Sequence, residues 1–275
     1  MQHDSQRTVQ YEEMFPWEVA RVIEQRPICY VPLGVLEWHG EHAATGLDGL
    51  KAHAICVAAA HRSGGVVIPT IWWGTDSRED LDDGSYLTGG IEHGERYHVP
   101  GSMFWIRPET HLNLMLDVYD TIRRRGFKAI IVLAGHWSRS AYLPTLRQSG
   151  EAFLQRRPEM KWALYTDQEL AGDLPYPHEH AAGGETSLLM AIRPDLVDLH
   201  LTLETDRSRR TWYSGNQEHL ERRRTTPNHY IGILTGVEDD SNDPESTASI
   251  QRGEMLLSAI SESLANEATA ILPRR

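Results

Sequence analysis

Residues 28–48, ICYVPLGVLEWHGEHAATGLD, contain the pattern that decides the fold. The first six residues form a short apolar run without polar alternation, which is typical of a strand buried on both faces of a parallel sheet. A glycine and a series of acidic and histidine side chains follow where this strand ends. The same order recurs in KAIIVLAGHWS, residues 128–138. In open α/β sheets, binding sites form beyond the carboxyl ends of the strands, so we expect a functional site there.

Strand-like and helix-like segments alternate along the chain. The predicted strands are 28–33, 65–73, 128–135 and 161–166. The predicted helices are 16–26, 50–62, 108–126, 141–157, 183–192 and 244–270. Alternation with short, very apolar strands indicates an α/β fold, a three-layer α/β/α sandwich with a mostly parallel central sheet.

Length and composition are those of a globular protein. The chain has 275 residues, of which 40% are hydrophobic and 24% charged, and we predict a single domain over residues 1–275. Two polar stretches, at about 74–107 and 200–230, interrupt the alternation and are predicted to be long excursions from the sheet. Cys29 and Cys56 lie in apolar segments and are predicted to be buried free thiols.

The charge of the chain restricts its partners. A net charge of −12 disfavours binding to nucleic acid or to an anionic membrane surface. No apolar window approaches the length of about 18 residues expected of a membrane-spanning helix, and the first residues show no secretory signal. We therefore expect a cytoplasmic protein that binds neither nucleic acid nor a membrane.

Three loops carry side chains of the kinds that bind metals. The first follows the strand 28–33 and holds Glu37, His39 and Asp48, and the second holds His136. The third contains His178, Glu179, His180 and Glu185. Carboxylates and imidazoles without cysteine suit one or two divalent ions, Zn²⁺, Mn²⁺ or Fe²⁺. Asp48 is the natural bridge between two ions, and such a centre indicates hydrolysis of an amide-like carbonyl bond.

These motifs, in this order, resemble the creatininase family, the creatinine amidohydrolases. PLGVLEWHGEHAATGLDGLKAHAI (32–55) resembles its Glu-x-His-Gly signature, and VLAGHW (132–137) resembles its Asn-Gly-His loop. EHAAGGETSLLMAIRPDLVDL (179–199) resembles its His-Ala-Gly-x-x-Glu-Thr-Ser segment, and residues 99–133 resemble its Pro-Gly-Thr region. The resemblance covers roughly residues 16–195.

The resemblance implies a three-layer α/β/α fold, commonly a homohexamer, with one or two divalent metals in each active site. It implies that Glu37 and His136 bind one metal, that His39 binds the other, and that Asp48 bridges them. It further assigns Glu185 to the metal shell and Glu179 and His180 to catalysis. The predicted substrate-binding residues are Trp137, Tyr176 and Ser77.

Two departures from the creatinine-hydrolysing members concern the substrate. Those members follow the loop histidine with Tyr and a metal-binding Glu, whereas Trp137 and Ser138 stand here, and their substrate-contacting Ser-His is replaced by GTDSRED (74–80). We therefore expect a metal-dependent hydrolase of a small cyclic or formyl amide-type carbonyl compound. One alternative is a carbon–carbon hydrolase that opens a cyclic keto-inositol, and another is a non-catalytic metal-binding or ligand-sensing protein.

Overall fold

The computed structural model describes residues 8–40, 42–80, 86–89, 103–139, 141–176, 180–201 and 247–273. Its strands are β1 (Ile28–Leu33), β2 (Val66–Val67), β3 (Ser77–Asp80), β4 (Tyr86–Gly89), β5 (Ala129–Ala134) and β6 (Lys161–Thr166). Its helices are α1 (Pro16–Gln25), α2 (Leu47–Ser63), α3 (Pro108–Arg124), α4 (Tyr142–Arg156), α5 (Asp167–Ala171), α6 (Gly183–Ile192) and α7 (Ile250–Ile271).

The central sheet is parallel and has the strand order β2-β1-β5-β6. Successive side chains of a strand point to opposite faces. Tyr30 of β1 and Ile131 of β5 pack with α2, α6 and α7 on one face, and Val31 and Val132 pack with α1, α3 and α4 on the other. Helices thus cover both faces of the sheet, and the predicted three-layer α/β/α fold is confirmed.

The boundaries of two elements differ from the sequence prediction. The strand predicted over 65–73 is regular only at Val66–Val67, although Ile68 and Ile71 still donate hydrogen bonds to carbonyls of β1. Pro69 lies between them and has no N–H to donate to the ladder, so regular pairing stops there. The last helix begins at Ile250, where the Ser249 side chain accepts a hydrogen bond from the Arg252 N–H and caps the helix.

Helix α2 begins closer to the sheet than its sequence suggested. It starts at Leu47 instead of residue 50, which brings Asp48 into its first turn. A Cβ atom at Gly34 would overlap the backbone of Gly49, and one at Gly135 would overlap the backbone of Asp48. These two glycines follow the neighbouring strands β1 and β5, so their missing side chains allow the first turn of α2 to touch both strand ends.

Two further sequence predictions concern cysteines and membranes. Cys29 and Cys56 are free and buried, as predicted. Within the part of the chain that the structure describes, no helix combines the length and the apolar character needed to cross a bilayer. Of the two predicted excursions, residues 81–85, 90–102 and 202–230 lie outside the described residues. An antiparallel hairpin of β3 and β4 belongs to the first excursion.

His111, on α3, is a buried histidine outside the predicted site. Its ring stacks on Tyr142 with centroids 5.4 Å apart, and neither ring nitrogen has a hydrogen-bond partner among the described residues. Burial lowers the pKa of His111 from 6.5 to about 4, because an imidazolium there would lose its hydration. The neutral ring is therefore the form that fits this core.

We expect His111→Phe to reduce the acid sensitivity of the fold. Between pH 6.5 and about 4 the unfolded chain binds a proton that the native His111 does not, so the unfolding free energy of the wild type falls as the pH is lowered. Removing this group should remove up to about 3 kcal/mol of that fall. Urea unfolding at pH 7 and pH 4.5 measures the difference, and identical losses in both proteins would contradict the prediction.

Candidate metal centre

Side chains from three loops converge at the carboxyl ends of β1 and β5. Glu37 and His39 follow β1, Asp48 lies in the first turn of α2, His136 follows β5, and His180 precedes α6. Two groups of three have ligand atoms within 4.8 Å of one another. These groups are Glu37, His39 and His180, and Glu37, Asp48 and His136. The predicted residues of the first two loops are therefore brought together, and His180 joins them.

Glu37 is common to both groups. Its Oε1 lies 3.0 Å from His136 Nδ1, 3.6 Å from His180 Nδ1 and 3.8 Å from His39 Nε2. The two oxygens of Asp48 divide between the groups, since Oδ1 is 3.3 Å from His39 Nε2 and Oδ2 is 3.4 Å from His136 Nδ1. Glu37 and Asp48 are thus both placed where a carboxylate could join two ions.

Unpartnered atoms test whether these residues fit a metal. Glu37 Oε2, His39 Nε2 and Asp48 Oδ2 are buried and have no hydrogen-bond partner among the described residues. Buried polar atoms are nearly always satisfied, and leaving one unpaired costs about 1–3 kcal/mol. His39 Nε2 and Asp48 Oδ2 lie among the converging ligand atoms, and a cation that binds them there explains why they lack hydrogen-bond partners. Oxygen and imidazole nitrogen donors suit Zn²⁺, Mn²⁺ or Fe²⁺.

The second nitrogen of each histidine is held by an acceptor outside the cluster. His39 Nδ1 donates to the Glu37 carbonyl at 3.1 Å, and His180 Nε2 donates to the Trp38 carbonyl at 2.7 Å. Because a carbonyl can only accept, these bonds place a proton on the outer nitrogen of each ring and leave the other nitrogen directed at the cluster, where it can bind a metal once it is deprotonated. His136 Nε2 likewise donates to Asp76 Oδ2 at 3.0 Å. Such bonds are typical of histidines that bind metals.

Acidic groups dominate the electrostatics. The buried carboxyl groups of the site are Glu37, Asp48, Asp76, Asp167 and Glu185. Among the described residues a single buried ammonium, Lys51, lies beside them, and it pairs with Asp48, Asp167 and Glu185. The carboxyl groups therefore outnumber the fixed positive charge. A cluster of this kind attracts cations, either protons or metal ions.

The pKa values of the histidines reflect the negative charge of these carboxyl groups. Burial by itself would lower the pKa of His39, but Asp48 and Glu37 raise it to about 9. Burial would also lower the pKa of His136. Glu37, Asp48 and Asp76 outweigh this effect and raise the pKa of His136 well above its usual range. His180 is different: burial lowers its pKa, and the attraction of Glu37 does not reverse the shift. His180 is therefore neutral near pH 7.

The remaining predicted residues lie in a second network or outside the described residues. Glu185 pairs with Lys51 and also accepts a hydrogen bond from the Ala181 N–H at 2.7 Å, so it does not belong to either group of converging ligand atoms. Ser77 is the first residue of β3, and Glu179 lies outside the described residues. Their predicted roles stay predictions.

The predicted substrate-binding residues Trp137 and Tyr176 both donate to the same carboxylate. The Trp137 indole N–H donates a hydrogen bond to Asp167, and the Tyr176 hydroxyl donates to the same carboxylate at 2.8 Å. The rings of Trp137 and Tyr176 meet edge to face. Trp137 also borders a cleft of about 290 Å³ with Arg139 and Leu143. The indole therefore touches both the buried network and an open surface.

Sequence reasoning missed three polar residues of the site. Asp167 directly follows β6, so the rule that residues after strand ends form the site would have found it. Lys51 follows Asp48 by one helical turn, and only the earlier start of α2 reveals that relation. Asp76 stands in the segment GTDSRED and is recognised only when the fold brings it to His136.

Comparison with known proteins identifies the family. The sequence model of the creatininase family, described as creatinine amidohydrolase, matches residues 12–268. The chain therefore belongs to the creatininase family, a family of hydrolases that act on C–N bonds, and the resemblance predicted from the motifs is confirmed. A creatinine amidohydrolase of Pseudomonas putida is 27% identical over 198 residues, which are 66% of this chain and 70% of that protein.

Solved structures agree on the fold. A crystal structure of creatininase superposes with a TM-score of 0.71 at 22% identity, covering 98% of this chain and 100% of that one. A mutant creatininase in a Zn–Zn form gives a TM-score of 0.69 at 21% identity, with 98% and 100% covered. At these identities the likeness shows the fold alone.

We expect Asp76→Asn to weaken metal binding through His136. The amide cannot replace the charged acceptor for the Nε2–H, so the ring becomes a poorer and less well oriented ligand. The dissociation constant for Zn²⁺ or Mn²⁺ should rise roughly 10–100-fold. Titration against a chromogenic chelator measures it, with Asp120→Asn, on the outer surface of α3, as the matched control. Equal affinities in both variants would exclude this role for Asp76.

Proposed function

We propose that this protein is a metal-dependent hydrolase that cleaves the C–N bond of a small polar amide, cyclic or formyl, with one or two divalent ions in each site. The observation that carries the proposal is the convergence of carboxylate and imidazole atoms from three loops. Two of these atoms, His39 Nε2 and Asp48 Oδ2, are buried with no hydrogen-bond partner in the part of the chain that the structure describes. Creatininase has been solved in an Mn form, and a mutant creatininase has been solved in a Zn–Zn form and complexed with creatine.

The proposed ligands are Glu37, Asp48 and His136 for one ion and Glu37 and His39 for the other. When bound, such an ion lowers the pKa of water and polarises a carbonyl group. Side-chain exposure is 10% for His136 and 14% for His180, against at most 2% for Glu37, His39 and Asp48. Substrate therefore reaches the centre from the side of His136 and His180.

His180 is the proposed proton carrier. Its Nε2–H is held by the Trp38 carbonyl, so Nδ1 carries the lone pair and faces Glu37 at 3.6 Å. Because burial lowers its pKa, the ring is neutral near pH 7 and can accept a proton from the attacking water. The proton then passes to the leaving nitrogen. Glu179, which neighbours His180 in sequence, is the second predicted catalytic group.

Metal content tests the proposed centre. Glu37 is common to both groups, so Glu37→Gln should lose more metal per chain than His136→Ala, and both should lose activity. Elemental analysis of the purified, folded variants measures the loss. Glu24→Gln, on the exposed side of α1, is the matched control and should retain wild-type content. Full metal content in both site variants would rule out the centre.

A substrate panel tests the reaction. Creatinine, formamides and keto-inositols should be supplied to the metal-loaded wild type, and product formation followed by chromatography. Turnover of an amide supports the proposal. Opening of keto-inositols alone would instead establish the carbon–carbon hydrolase, and tight binding without turnover would indicate a sensing protein.

The role of His180 has its own test. His180→Asn should lower turnover by roughly 10²–10⁴-fold with metal content unchanged, because the ring moves protons in this proposal. Stopped assays and elemental analysis of the same preparation give both values. A loss of metal in this variant would make His180 a ligand instead, in line with its place beside Glu37 and His39 in one of the two groups of converging atoms.

We also propose that the protein forms a homohexamer and acts in the cytoplasm. Several large apolar side chains are exposed and suit contacts between subunits. They include Phe15, Trp17, Trp73, Met103 and Phe104, which are 41–57% exposed. Light scattering coupled to size exclusion measures the number of subunits.

A further inference from the structure

Lys51 is a completely buried cation beside the metal centre. It lies on α2 one turn after Asp48, and its Nζ is 3.1 Å from Asp167 Oδ2 and 3.7 Å from Asp48 Oδ1. It also forms an ion pair with Glu185 Oε1, and it stands 4.6 Å from the centre of the Trp137 ring. A lysine is almost never fully buried unless it is paired, and here it is paired with three carboxylates.

Glu185 differs from the converging ligand residues in the use of its oxygens. Oε1 binds Lys51, and Oε2 accepts the Ala181 N–H at 2.7 Å. Glu37 and Asp48, by contrast, each have an oxygen without a hydrogen-bond partner among the described residues. The ammonium and a backbone amide therefore do for Glu185 what a metal ion would do for the other two carboxylates.

We propose that Lys51 is a positioning residue whose ammonium group takes the role of a metal ion toward Glu185 and Asp167. By holding these two carboxylates, Lys51 restricts divalent metal binding to the ligand atoms around Glu37. This inference rests on the proposed metal-dependent function. It assigns Glu185 to the support of the centre and not to its ligands.

The geometry around Asp48 explains how Lys51 would act on the centre. Asp48 Oδ1 faces Lys51 and His39, while Oδ2 faces His136. The ammonium thus orients this carboxylate and leaves Oδ2 to the ion at His136. A further divalent ion at Glu185 would meet the Lys51 charge at short range in a water-poor site, where like charges repel strongly. The Trp137 ring, whose centre lies 4.6 Å from Nζ, favours a cation at this place.

The test compares metal stoichiometry in full-length wild type, Lys51→Met, Glu185→Gln and the double variant. Each protein is stripped with chelator, incubated with excess Zn²⁺ or Mn²⁺, freed of unbound metal and measured by elemental analysis. We expect Glu185→Gln to bind as many equivalents as the wild type. Lys51→Met leaves three carboxylates without their cation, so it should bind one additional equivalent, and the double variant should lose that gain.

Arg26→Met is the matched control for the loss of a buried cation. Arg26 is buried and binds the carbonyls of Ser63 and Leu272, so its replacement should leave the metal count at the wild-type value. Thermal unfolding provides a second measurement. Added metal should raise the midpoint of Lys51→Met by more degrees than that of the wild type, because the additional ion binds only the native state.

The outcomes separate this inference from the function on which it rests. Loss of one equivalent in Glu185→Gln would make Glu185 a ligand and overturn the inference, even if Lys51→Met does not fold. An unchanged metal count and an unchanged thermal response in folded Lys51→Met would also overturn it. A wild type that binds no divalent metal would instead refute the proposed function.

Discussion

The close contact between the first turn of α2 and the ends of β1 and β5 is the constraint on which the site depends. Gly34 and Gly135 lie at the two strand ends, and a Cβ atom on either would overlap the backbone around Asp48. This contact places a helical carboxylate between loops that start from two different strands. Without it, Glu37 and His136 would still follow their strands, but Asp48 would lie too far away to join their groups.

Concentrated negative charge is the second feature of the site. Buried carboxylates are costly unless a cation or several hydrogen bonds compensate them, and this protein uses different cations for neighbouring carboxylates. Lys51 compensates Asp167 and Glu185 through a covalently attached ammonium. Glu37 and Asp48 face histidines that are themselves oriented by carbonyls and by Asp76. A fixed cation permits no exchange, whereas unpaired oxygens and nitrogens allow an ion to bind and leave.

The departures from the creatinine-hydrolysing members are concentrated around His136. Ser138 occupies the position at which those members have a metal-binding Glu, and its hydroxyl donates to Asp76. Asp76 in turn accepts the Nε2–H of His136. The carboxylate of Asp76 therefore reaches this part of the site from a different segment of the chain and contacts His136 at Nε2, the nitrogen that faces away from Glu37. The surroundings of His136 thus differ from the pattern expected of the creatinine-hydrolysing members, in line with the proposed hydrolysis of a different small amide.

The sequence by itself determined the layers of the fold and the residues of the first two loops. The spacing of apolar residues that is typical of a strand or a helix is visible within a short stretch of sequence. The bounds of β1, β5, β6 and most helices could therefore be predicted within a few residues. Glu37, His39 and His136 could be predicted because they lie in the loops that follow β1 and β5 and match the motifs of the family. Only the tertiary structure decided the partners of Lys51, the contact of Asp76 with His136 and the pairing of Glu185. The contact of Asp76 with His136 joins residues 60 positions apart, and that of Lys51 with Glu185 joins residues 134 positions apart. Which charges meet across such distances depends on how the helices pack onto the sheet.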